Sequence, residues 1–126
     1  MTVIEAIARM EGFGVPGALP TINHSPGDLI YGPEAVSFGA IAQHGRFAVF
    51  PDDETGWNAL RRWLSVPAKF DAKGNLVGGY LGATIEQAIN RFAPPSDGNK
   101  TSVYVSNVFS WCNLQPSSIL TKELLG

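Results

Sequence analysis

Glycine and proline crowd the chain just after its first helical pattern: Gly12, Gly14, Pro16, Gly17 and Pro20 all fall between positions 12 and 20. No helix runs through such a stretch, because proline lacks the amide hydrogen and glycine favours turns. The pattern before it is clear. Thr2 and Glu5 have capping-box spacing, and Ile4, Ile7 and Met10–Glu11 continue one face. The sequence therefore predicts a helix over 3–11 that stops at Glu11 and opens into a loop.

Residues 21–50 lack helical period. Leu29-Ile30-Tyr31 reads as a short strand after the Pro26-Gly27 turn. Val36 to Gln43 and Arg46 to Phe50 read as a hairpin turning at His44-Gly45. The period then changes back. Asp52, Asp53 and Glu54 suit a helix N-terminus, and Trp57, Leu60 and Leu64 share a face up to the stop at Pro67. Residues 68–82 hold Lys73-Gly74 and Gly78-Gly79 and read as a loop or loose hairpin. Thr84 to Gln87 has a second capping-box spacing, with a helix through Ile89 and Phe92. Pro94-Pro95 breaks it before a polar loop at Ser96 to Lys100. Thr101 to Leu114 is read as helix on length, and Ser117 to Leu125 as a short terminal helix. The order is α+β, mainly helical, with a small antiparallel sheet inserted after the first helix.

At 126 residues the chain has the size of one domain, 1–126, with 44% hydrophobic and 16% charged residues. A net charge of −2 and scattered Lys and Arg argue against a nucleic-acid partner and favour a neutral or sugar-like one. Cys112 is the only cysteine, which excludes an internal disulfide and reads as a small core residue. No apolar run reaches the length of a membrane span, and no signal-peptide pattern opens the chain. His24 and His44 stand in separate loops without ligand spacing, so no metal is expected; no phosphate loop or dinucleotide fingerprint suggests a cofactor.

Four segments carry a family likeness: AIARMEGF at the end of the first helix, NHSPGDL, RFAVFPDDETGWNALRRWL and TSVYVSNV. In their order and spacing they resemble the lysozyme-like superfamily, and most of all lytic transglycosylases and glucosaminidase domains of the flagellar-muramidase type. The likeness runs over about residues 6–108. The sequence departs from the family pattern at Asp28, where related segments often have Asn, and at His24-Ser25, which replace an Asn pair. The resemblance implies a lysozyme-like fold, cleavage of peptidoglycan glycan strands and Glu11 as the catalytic acid. It also implies that Tyr104 faces the active site.

The chemistry requires an acid that keeps its proton until the glycosidic oxygen takes it. Glu11 lies on the face of Ile4 and Ile7 and ends a helix, and both burial and the helix C-terminus disfavour its anion. The buried glutamate of lysozyme is the standard example of that pattern. A hydrolase needs a second carboxylate, for which Asp28 and Glu34 are the candidates; Asp28 equally suits the Pro26-Gly27 turn, and Glu34 an exposed loop. A lytic transglycosylase needs only Glu11, because the muramic acid 6-hydroxyl attacks the anomeric carbon to give a 1,6-anhydro product. That mechanism is the preferred expectation, with a muramidase or glucosaminidase as the alternative. Thr21, Asn23 and Tyr104 are candidates for substrate binding or for supporting Glu11. A non-enzymatic glycan-binding or phage structural component is the competing reading. Action on the cell wall without a signal pattern suits a phage endolysin, a virion-associated lysin or an effector delivered by a secretion machine.

Overall fold

A computed structural model describes all residues, Met1 to Gly126. The protein is α+β, with seven α-helices and two separate two-stranded antiparallel sheets. Its contacts divide it into two compact units. One comprises Ile7–Trp63, and the other Met1–Ala6 with Leu64–Gly126. No helix is long and apolar enough to cross a membrane.

The first helix, α1, spans Val3–Glu11. It starts as its sequence requires: the Thr2 amide donates to Glu5 Oε1 at 2.8 Å, and the Glu5 amide donates to Thr2 Oγ1 at 3.3 Å. It ends in a Schellman motif, with Gly12 at φ +88°, its amide on the Arg9 carbonyl and the Phe13 amide on the Ala8 carbonyl.

Within Ile7–Trp63 follow α2 (Leu19–Ile22), α3 (Pro33–Ser37), the hairpin strands β1 (Ala42–His44) and β2 (Phe47–Val49), and α4 (Asp53–Leu64), whose last residue falls in the other unit. The two short helices replace what the sequence read as loop and as strand. Pro33 supplies the φ that a first helical position needs, and Gly39 at φ +108° ends α3 in the same motif as Gly12. The hairpin is thus confined to 42–49, with His44 paired to Phe47 across Gly45-Arg46. The expected strand at 29–31 is reduced to one bridge, Ile30 to Phe47. Ile7, Leu29, Ala35, Ala48, Phe50, Ala59 and Leu60 form the core of this unit.

In the other unit, β3 (Lys69–Phe70) and β4 (Leu76–Gly78) form the loose hairpin expected over 68–82. Helix α5 (Ile85–Phe92) carries the full Thr84–Gln87 capping box, and a short 3-10 turn at Pro95–Asp97 leads into α6 (Thr101–Cys112). The terminal helix α7 spans only Lys122–Leu125. Residues 118–120 are extended instead, because the Ile85 amide reaches the Ser118 carbonyl and the Leu120 amide the Ala83 carbonyl. Ile85, Ile89, Tyr104, Val108, Leu120 and Leu125 are buried there.

Candidate functional site

Five of the six candidate residues, Glu11, Thr21, Asn23, Asp28 and Glu34, lie in the Ile7–Trp63 unit; Tyr104 lies in the other. Glu11 is half-buried and is the last residue of α1, at the end where the helix carries partial negative charge. The chain beyond it is held at two further points. Phe13 packs edge-to-face on Trp57 of α4, with ring centres 5.4 Å apart. The Gly14 amide donates to Thr21 Oγ1 at 2.9 Å. Thr21 thus closes the loop that leaves Glu11.

Next along the chain, the segment NHSPGDL is under visible backbone constraint. His24 and Asp28 both take left-handed conformations, φ 52° and φ 49°, which are uncommon outside glycine. Such conformations persist only where the surroundings enforce them, and here the enforcing contacts are specific. His24 ends α2, its amide on the Thr21 carbonyl and the Ser25 amide on the Pro20 carbonyl. Its ring Nδ1 lies 2.8 Å from Asp53 Oδ1 in the first turn of α4. Ser25 is buried and its hydroxyl accepts the Leu29 amide at 3.0 Å, while its carbonyl accepts the Asp28 amide. Two glycines let the segment lie against α4: a Cβ at Gly56 would overlap the His24 carbonyl, and one at Gly27 would strike Leu60.

Asn23 joins this segment to the hairpin. It is 1% exposed, its carbonyl accepts the Phe50 amide, and its Oδ1 lies 3.0 Å from His44 Nδ1. Its Nδ2 is buried without a hydrogen-bond partner in the chain, and so is Asp28 Oδ1. One orphan is a donor and the other an acceptor, on the two ends of the same strained segment; buried polar groups of this kind require an explanation beyond packing. Burial pushes the Asp28 carboxyl above its ordinary range, and the Arg46 guanidinium pulls the other way.

The remaining candidates are placed differently. Glu34 is exposed in the first turn of α3, a position that suits an acid electrostatically. Tyr104 is buried within its own unit, on α6. Nowhere do three or more His, Cys, Asp or Glu gather to hold a metal ion. Sequence reasoning did not foresee the links from Asn23 to His44, His24 to Asp53 or Arg46 to Asp28. The one available signal was Gly56 inside a helical pattern, since a glycine there often marks a close backbone approach.

No known family model matches the sequence, and no curated protein matches it significantly.

Proposed function

We propose that this chain cleaves the glycan strands of peptidoglycan as a lytic transglycosylase on a lysozyme-like fold, with Glu11 as its single acid and base. The observation that carries the reading is the placement of Glu11. It is half-buried at the C-terminal end of α1 and fixed by the Gly12 turn, the Phe13–Trp57 contact and the Gly14–Thr21 hydrogen bond.

In this mechanism the Glu11 carboxyl gives its proton to the glycosidic oxygen as the bond to the anomeric carbon breaks. The resulting carboxylate takes the proton of the muramic acid 6-hydroxyl, whose oxygen closes on the anomeric carbon. Glu11 ends as it began, and the product is a 1,6-anhydro sugar. No second carboxylate is required. A nucleophile must be ionised at the working pH, and the burial that raises Asp28 works against that; Glu34 is exposed and lies on a separate helix. The Oδ1 of Asp28, which no group in the chain engages, is by contrast what favours the second reading, a muramidase or glucosaminidase hydrolase.

The deciding experiment is digestion of purified peptidoglycan by the wild type and by Glu11→Gln, with the released muropeptides weighed by mass spectrometry. Anhydro products lost in the variant are the expected result. Hydrated products would transfer the mechanism to the hydrolase reading. A folded wild type that binds several wall types and releases nothing would establish a glycan-binding component instead.

A further inference from the structure

The Met1–Ala6 and Leu64–Gly126 unit has a groove of its own, about 570 Å³ in volume, between α5 and the start of α6. That volume is in the range of small-molecule sites. Its lining combines two opposite charges that make no ion pair in the chain, Glu86 on α5 and Lys100 at the head of α6. The lining also holds two amides, each with one donor hydrogen already engaged. Asn90 Nδ2 donates to the Glu86 carbonyl at 2.8 Å, and Asn99 Nδ2 to the Pro94 carbonyl at 3.1 Å. Each is left with an Oδ1 able to accept. The Ser102 hydroxyl adds a group that can donate or accept, and Val105 adds buried apolar lining.

That set of groups selects a ligand class. An isolated anion such as phosphate would meet the Glu86 carboxylate as well as the Lys100 ammonium. A neutral sugar would leave both charges unanswered. A short peptide with a free carboxylate and a free amine answers all of them: carboxylate to Lys100, ammonium to Glu86, and backbone amides to the Asn90 and Asn99 oxygens. We propose that this groove binds the peptide stem that peptidoglycan strands carry, so that the chain recognises wall peptide as well as wall glycan. The inference rests on the glycan-cleavage reading for its choice of source, but not for its physical basis.

The test uses the full chain, labelled with ¹⁵N, and a synthetic sugar-free tetrapeptide, L-Ala-γ-D-Glu-L-Lys-D-Ala, with its amines and carboxylates free. The expected result is saturable shifts at the Asn90, Asn99 and Ser102 amides, with binding weakened at least fivefold by Glu86→Gln and by Lys100→Met. Acetylating the peptide amines should abolish the effect of Glu86→Gln, and amidating its carboxylates that of Lys100→Met. Both side chains are exposed, so the variants should keep the wild-type spectrum elsewhere. Absence of shifts in the groove, or equal affinity of wild type and both variants, overturns the proposal. So does a chitotetraose probe that shifts these amides where the peptide does not. Peptide binding without release of muropeptides would sink the cleavage reading and leave the groove assignment standing; lysis without peptide-dependent shifts would do the reverse.

Discussion

The carbonyl oxygen of His24 occupies the space that a side chain at Gly56 would need. One residue is in a strained loop and the other inside α4, so the contact fixes where the NHSPGDL segment lies on that helix. Replacing Gly56 by alanine should improve intrinsic helix propensity by about 1 kcal/mol, yet here the added methyl would overlap backbone rather than a movable side chain. Overpacking against backbone should dominate. Gly56→Ala is expected to lose at least about 2 kcal/mol of net stability, read as a lowered midpoint in urea. A variant as stable as the wild type would show that the loop does not press on α4.

Asp28 gives a prediction about pH. Burial raises its folded-state value above the ordinary 3.8 of an exposed aspartate, against the opposing pull of Arg46. Between the unfolded and folded values the native state therefore binds more protons, and stability falls as pH rises through that window. Above it, the ionised Asp28 lowers stability. Asp28→Asn removes the titration and keeps a residue type that tolerates φ near +50°. Its thermal midpoint should exceed that of the wild type at pH 7, and the gain should fade as pH drops well below 3.8, where both states of the wild type become protonated. A gain that persists unchanged at pH 3 would assign the effect to backbone preference instead of charge.

The parts of the fold legible in the sequence are those fixed by nearby residues. α1 and α5 announce themselves through capping spacings, and α4 through its acids and its Trp57, Leu60, Leu64 face; all three formed as read. The stop after Glu11 was legible because Gly12 is the residue type a left-handed helix end requires. What escaped was decided at a distance. Residues 118–120 carry a helix-compatible pattern but become extended because 83–85 offer a backbone edge far away in sequence. α2 and α3 are too short to show a period. At the candidate site, the position of Glu11 as the last residue of α1 and the turn within NHSPGDL were visible. The orphaned Nδ2 of Asn23 and the Arg46–Asp28 interaction were not, since both arise only when the hairpin folds back on the loop.

The capping box of α5 offers a measurement in the other unit. The Thr84 hydroxyl accepts the Gln87 amide at 3.1 Å, and Gln87 Oε1 accepts the Thr84 amide at the same distance. Thr84→Ala leaves the Gln87 amide without its acceptor and should cost about 1 kcal/mol. Thr84→Ser preserves the oxygen and should recover most of that loss. Equal destabilisation by both would mean that the Thr84 methyl, rather than the cap, carries the effect.

Gly12 links the stability of α1 to the proposed chemistry of Glu11. At φ +88° it permits the Schellman turn, and an alanine there should cost about 1 kcal/mol from backbone strain alone. Space is not the obstacle, since the nearest atom to an added Cβ would be the Ala18 methyl at 4.0 Å. Any change in activity would therefore report displacement of the neighbouring carboxyl. A misplacement near 1 Å is enough to cost roughly 10²-fold in rate, so Gly12→Ala is expected to slow release of anhydro-muropeptides by at least about tenfold while wall binding is retained. Glu11→Gln removes the transferable proton itself and should cost about 10²–10⁴-fold, with α1 still formed by circular dichroism. A Gly12→Ala protein that loses stability but keeps the full rate at a temperature where it is folded would detach the turn from the chemistry. A Glu11→Gln protein that keeps the full rate would return Glu11 to the status of an ordinary helix terminus.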